Sequence, residues 1–236
     1  MRGVLSRALG FAVLGALLAQ AAACAGNAPQ NLAAPVRDNP KAAGPPQTAV
    51  LAGGCFWGVQ GVFEHVRGVR RVIAGYAGGD RKTAEYETVS SGRTGHAESV
   101  EITFDPAIVS YGEILQVFFA VAHDPTQLNR QESDVGTQYR SEIFYADDMQ
   151  REIAQAYIAQ LGQAHVFERP IVTKLEPLKG LYPAEDYHQD FLFHNPHNSY
   201  IAFYDLPKIA NLRRVLPSLY VTDPVLVASS VQGQHR

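Results

Sequence analysis

The sequence predicts an α+β fold, a mixed β-sheet with helices packed against it. Short apolar runs that alternate with a period of two are interleaved with segments whose apolar residues recur at three and four. That interleaving never settles into strict βαβ repetition, so an all-parallel sheet is not expected. At 236 residues the chain can bury one sizeable core. The formal charge of -3 is close to neutral, and no run of like charges suggests nucleic acid or a polybasic membrane patch.

Thr48 to Leu51 reads as a buried strand running into a tight turn at Gly53-Gly54. From Cys55 the spacing becomes helical, with Phe56, Val59, Val62, Phe63 and Val66 on one face and Gly68 closing the segment. Arg71 to Tyr76 suggests a second strand, followed by a Gly-rich loop. In Ala97 to Phe104, Glu98, Val100, Ile102 and Phe104 share one face. Ser110 with Glu113 makes a capping box that opens an apolar helix to Ala122. Thr137 to Tyr145 looks like a strand. Asp147 caps a helix whose stripe is Met149, Ile153, Tyr157 and Leu161, ended by Gly162. Ile171 to Glu176 is a last strand, and Ala184 to Phe193 a last helix of the core. The architecture expected is a ferredoxin-like two-layer α/β plait with extra segments.

The N-terminus has the order of a secretory signal. Arg2 and Arg7 precede an apolar run from Ala8 to Ala19, and small residues surround Cys24. That run is too short for a permanent membrane helix. A signal over residues 1–23 therefore predicts an exported, periplasmic or envelope protein. Cys24 stands where a lipoprotein signal places its acylated cysteine, although three alanines before it match poorly; lipidation and simple cleavage both remain open. Residues 24–46, with prolines at 29, 35, 40, 45 and 46, read as a flexible tether. The compact domain is expected over 47–205, and 206–236 as an extension with a short helix, Lys208 to Leu216, and a mobile tail.

Within the compact domain the sequence has a single cysteine, Cys55. A lone thiol in an exported domain is either inert or reactive. Glycines at 53 and 54 allow a sharp turn and a close substrate approach. A cysteine at the first turn of a helix meets unpaired N–H groups and the macrodipole, which favour a thiolate. Phe56 reads as core, whereas Trp57 beside a nucleophile reads as a pocket wall for a small thioether-like group. Glu98 shares parity with core residues. A desolvated carboxyl there would keep its proton near neutrality and act as donor or general acid; the alternative is a strand start that reaches water. No Cys/His spacing suggests a metal, and no phosphate-binding loop is present.

Five separated motifs then point one way: Gly54-Cys55-Phe56-Trp57-Gly58, Gly95-His96-Ala97-Glu98, His123-Asp124-Pro125, Gly136-Thr137-Gln138-Tyr139-Arg140-Ser141 and Ala184-Glu185-Asp186-Tyr187-His188-Gln189. From about Ala49 to Tyr200 the chain resembles the A-type peptide methionine sulfoxide reductases. The resemblance implies that Cys55 attacks the sulfoxide sulfur and becomes a sulfenic acid as methionine leaves. It implies Glu98 as proton donor, Tyr86 and Tyr139 as phenolic donors to the sulfoxide oxygen, and Phe56 and Trp57 as walls for the substrate methyl. Asp134 matches an acidic position near the site. The same family acts on the S epimer at sulfur. Without the resemblance, Tyr86 and Tyr139 would read as ordinary strand aromatics. For His188 a packed or capping role stands beside a substrate-binding one, and Asp186 shares that ambiguity.

Many members of the family carry further cysteines near the C-terminus, but Asn198-Ser199-Tyr200-Ile201-Ala202-Phe203 contains none. An external thiol, from a thioredoxin-like or glutaredoxin-like protein or a small thiol, is then expected to resolve the sulfenic acid, with no bound cofactor. Expected substrates are oxidised proteins, peptides or free methionine sulfoxide, and a monomer is expected. Rival readings are a cysteine-based peroxidase, a Cys-His hydrolase using His96 or His188, and a non-catalytic envelope protein that binds oxidised methionine.

Overall fold

The computed structural model describes residues 30–227, so the signal reading, Cys24 and residues 228–236 lie outside it. In chain order the first half runs β1 (Gln47–Gly53), α1 (Phe56–Glu64), β2 (Val69–Ala77), α2 (Tyr86–Val89), β3 (Ala97–Phe104) and α3 (Tyr111–Val117). The second half runs β4 (Arg130–Gln131), β5 (Asp134–Val135), β6 (Ser141–Tyr145), α4 (Asp148–Gln163), β7 (Lys174–Pro177), β8 (Leu181–Pro183), α5 (Phe191–His194) and α6 (Leu206–Val215).

Among the described residues, six strands form one sheet in the order β7-β6-β1-β3-β2-β8, and β4 and β5 form a separate hairpin. The inner four, β6-β1-β3-β2, are antiparallel throughout. With α1 between β1 and β2, and α3 between β3 and β6, this is the expected βαββαβ plait. Edge strand β7 joins β6 in parallel, as a strand returning through helix α4 must, and β8 joins β2 antiparallel.

One sheet face carries the main core. Leu51, Val72, Ala74, Val100, Ile102, Phe104 and Ile143 meet Phe56, Val59, Val62 and Phe63 of α1 and the apolar side of α3 and α4. Each large side chain removed from water contributes about 1.5–3 kcal/mol, so this layer holds the plait together. The opposite face has only a small cluster of Val50, Ala52, Ala77, Ala97 and Phe144.

Several local expectations need correction. The capping box at Ser110 forms, but the helix is α-helical only to Val117 and continues as a π-helical turn, Phe118–Ala122. Residues 137–139 are a 3₁₀ turn rather than strand, because Gly136 at φ +147° breaks the extended run and pairing begins at Ser141. The helix expected over Ala184 to Phe193 is two single turns, Asp186–His188 and α5, separated by Asp190 in the left-handed region at φ +52°. In α4, Ile153, Tyr157 and Leu161 are buried, but Met149 is exposed at the first turn.

The stretch read as a tether docks on the domain from residue 30 onward. Leu32 is 3% exposed in the core, and its carbonyl accepts from Gln116 Nε2 at 2.7 Å. Tyr157 Oη donates to the Ala33 carbonyl, and Asp38 and Asn39 accept the first-turn N–H groups of Gly112 and Tyr111. Composition undervalued this stretch because α3 and α4 supply the apolar slot and the polar partners. Past α6 the chain is likewise packed as far as residue 227: Leu216 and Leu219 are buried, and Val66 and Tyr220 form a β-bridge.

Candidate active site

The site is built at the end of β1. Gly54 turns the chain at φ +95°, with Gln131 packed 2.6 Å from where a Cβ would stand. An L side chain would be strained there and would collide, so glycine is required. The turn delivers Cys55 to the N-cap of α1, 9% exposed, at the edge of a cavity of about 170 Å³. Phe56 and Trp57 come from α1, Tyr86 from α2, Glu98 from β3, Asp134 from β5 and Tyr139 from the 3₁₀ turn before β6. Residues separated by more than eighty positions thus converge because β1 and β3 are neighbours and the β4-β5 hairpin folds over their ends.

Burial dominates the electrostatics. It pushes the Cys55 thiol well above its usual value, and the charges of Glu98, Asp205 and Asp134 push the same way, while the Trp57 N–H opposes them. The expectation that the helix N-terminus favours a resting thiolate is therefore corrected: desolvation and three carboxyls outweigh one amide dipole. Glu98, 3% exposed, faces the interior, which decides between its two readings. Burial raises its pKa to about 8, against the Phe56 N–H that donates to Oε2 at 3.0 Å. At neutral pH its carboxyl is mostly protonated. Burial also keeps the phenols of Tyr86 and Tyr139 protonated, with the Glu98 charge next in effect. The cavity therefore offers a thiol, a carboxylic acid and three phenolic groups, those of Tyr86, Tyr139 and Tyr200, with one aromatic wall.

That wall is held from behind. Trp57 Nε1 donates to His188 Nδ1 at 3.1 Å, and the indole stacks on Phe191 at 3.8 Å between centroids. His188 is buried, does not line the cavity, and is kept neutral by its burial. It orients Trp57 rather than touching the cavity, so its substrate-binding reading is not what the structure places there. Phe56 packs as core on Tyr76 and His188 while presenting an edge to the cavity. Asp186 is exposed and lines a different hollow. His96 is tied up, Nδ1 accepting from the Gly79 N–H and Nε2 donating to the Asp80 carbonyl, so it is not poised as a base for Cys55.

Comparison with known proteins agrees with this geometry. The family model for peptide methionine sulfoxide reductase matches residues 47–217. The chain belongs to that family. Peptide methionine sulfoxide reductase MsrA 2 of Mesorhizobium japonicum is 60% identical over 190 residues, 80% of this chain and 97% of that one. Methionine sulfoxide reductase A of Corynebacterium diphtheriae shares 37% identity and a TM-score of 0.55, covering 68% of this chain and 78% of the other. Mxr1 of Saccharomyces cerevisiae in its reduced form has a TM-score of 0.58 at 31% identity, over 65% and 88% of the two chains. The protein is accordingly an oxidoreductase that reduces methionine sulfoxide, a protein-repair activity.

Three contributors to the reductase site were missed in the sequence. Tyr200 lines the cavity, and its Oη donates to Asp134 Oδ2 at 2.5 Å. It was legible only as the last residue of the resemblance. Glu185 accepts from the Tyr86 N–H and from Tyr76 Oη, fixing the turn that carries Tyr86. Asp205 and Lys208 form an ion pair against the first turn of α1. No local signal marks either role, because Glu185 meets Tyr86, and the Asp205–Lys208 pair meets α1, only across a long stretch of sequence.

Proposed function

We propose that Cys55 is the nucleophile that reduces the S epimer of methionine sulfoxide, free or within proteins. The Cys55 sulfur attacks the sulfoxide sulfur and forms a sulfur–sulfur bond while the oxygen is protonated. The hydroxyl then transfers to the Cys55 sulfur as that sulfur–sulfur bond and the methionine sulfur–oxygen bond break, leaving a sulfenic acid on Cys55 and methionine as the neutral thioether. Glu98 gives its proton to the sulfoxide oxygen as negative charge develops there, and the thiol proton restores it. Tyr86 and Tyr139 donate hydrogen bonds to the same oxygen. Trp57 and Phe56 contact the S-methyl group. The observation that carries this reading is the placement of a buried, protonated Glu98 and a buried thiol on one small cavity. None of the side chains lining that cavity is an arginine, which disfavours a peroxide-orienting role.

Two equivalents of an external thiol then regenerate the enzyme: the first forms a mixed disulfide and releases water, the second releases Cys55. A thioredoxin-like protein is the natural donor, glutathione or another small thiol the alternative. The sequence order at residues 1–24 supports export, with Cys24 either acylated or removed.

The test is epimer-resolved turnover of a methionine sulfoxide peptide with thioredoxin, glutathione or dithiothreitol supplied separately. Without reductant, one methionine per protein should appear together with a dimedone adduct on Cys55, and Cys55→Ser should abolish both. Consumption of the R epimer alone, or turnover by the Ser variant, would overturn the reading. Intact mass of the mature chain separates acylation at Cys24 from a cleavage that removes it.

A further inference from the structure

Directly behind Cys55 lies a buried ion pair that the reaction as described does not use. Asp205 is 0% exposed at the end of a π-helical turn, Ile201–Asp205, and Lys208 reaches back from the first turn of α6, with Nζ 3.1 Å from Asp205 Oδ1. Lys208 keeps only 15% of its side chain exposed. The pair sits on α1 at Gly58, three residues after Cys55. A Cβ on Gly58 would stand 2.0 Å from Asp205 Oδ1 and 3.1 Å from Lys208 Nζ. The last glycine of the Gly54–Gly58 motif is thus a seat for this pair. Asp205 Oδ2 is buried and has no hydrogen-bond partner among the described residues.

We infer that Lys208 and Asp205 are positioning residues that set the ionisation of Cys55, the ammonium supporting negative charge on its sulfur and Asp205 opposing it while holding Lys208 in place. This rests on the reading of Cys55 as nucleophile and adds the charge that balances its surroundings. Carboxyls face the sulfur from three directions, Glu98 on β3, Asp134 on β5 and Asp205 on the π-helical turn, and each disfavours a thiolate. Tyr86, Tyr139 and Tyr200 face the same space as neutral phenols. Lys208 brings a cation to this cluster, with its charge held on by Asp205, Glu132 and Cys55 against its burial. A cation in this cluster is needed most in regeneration. There an external thiolate attacks the outer sulfur of the mixed disulfide, the sulfur–sulfur bond to Cys55 breaks, and Cys55 leaves with the electron pair as a thiolate. An opposite charge within a few ångströms moves a titrating group by about 1–3 pH units.

The experiment follows alkylation of Cys55 by iodoacetamide against pH in the full chain, reading the Cys55 peptide by mass spectrometry so that Cys24 does not interfere. Lys208→Met should move the alkylation profile upward by about one pH unit, a roughly tenfold slower alkylation at fixed pH below it. Asp205→Asn should move the profile downward, and Lys208→Arg should leave it near that of the parent chain. Opposite displacements are the signature, since a merely structural pair would shift both variants alike or neither. Shifts of one sign in both, or none in either folded variant, overturn the proposal. Should Lys208→Met fail to fold, Lys208→Gln takes its place and must show the same upward displacement. Alkylation requires no sulfoxide chemistry. A protein inert toward sulfoxides that still shows opposite shifts would refute the catalytic reading and support the electrostatic one.

Discussion

Glu98→Gln separates activity from stability in a way that the geometry determines. The amide oxygen can still accept from the Phe56 N–H, now bonded to Glu98 Oε2 at 3.0 Å, so the local backbone should be undisturbed. The variant can donate a hydrogen bond to the sulfoxide but cannot deliver a proton. Loss of a positioned general acid should slow the reduction step by about 10²–10⁴-fold, read as methionine released in a rapid-quench single turnover. Stability should move the opposite way. The folded protein raises Glu98 from 4.5 to about 8, so it holds a proton that the unfolded chain gives up. For such a group the stabilisation is complete below about pH 4.5 and is lost as pH rises toward about 8. Between pH about 5 and about 7.5 the parent should lose about 3 kcal/mol through this one carboxyl, and the glutamine variant should not. Guanidinium denaturation of both proteins across that window measures the difference. A stability gap that stays constant with pH would refute the raised pKa, and an undiminished single-turnover rate would refute Glu98 as acid.

Three further perturbations follow from named contacts. Tyr200→Phe removes the 2.5 Å bond to Asp134 and should slow reduction roughly tenfold, equivalent to about 1.4 kcal/mol, with unfolding midpoints little changed. Gly58→Ala forces a methyl group onto Asp205 and should destabilise by about 1–3 kcal/mol, read as a lowered denaturation midpoint with unchanged slope. Leu32→Ala empties a slot in the main core and should cost about 2 kcal/mol; an unaltered midpoint would mean that residues 30–39 are dispensable to the fold.

The correspondence between sequence and structure is uneven for physical reasons. Strand β1 was readable as a short apolar run ending at a turn, as a strand buried on both faces should be, β3 from the shared parity of Glu98, Val100, Ile102 and Phe104, and the Ser110 and Asp147 caps because capping is local chemistry. Edge strands β7 and β8 are half-exposed and short, so alternation carries little signal, and β8 was not anticipated. The strand expected at 137–145 forms only from Ser141, and the helix expected at 184–193 breaks into two turns, because a residue with positive φ, Gly136 or Asp190, interrupts an otherwise regular pattern.

The candidate site shows the same division. The motif around Cys55 and the parity of Glu98 in β3 made a reactive thiol and an internal acid readable, each beside an alternative, and the resemblance to the reductase family chose between them. Spacing says nothing about how deeply a group is buried once strands have paired. Only the packed sheet raises the Cys55 and Glu98 pKa values together, turning an expected resting thiolate into a buried thiol beside a neutral acid. Only tertiary contact seats Asp205 and Lys208 on Gly58 and hydrogen-bonds Tyr200 to Asp134. Residue identity is written along the chain, so it determined which reaction is available here. Desolvation and charge proximity depend on distances between segments far apart in that chain, and those distances exist only after folding.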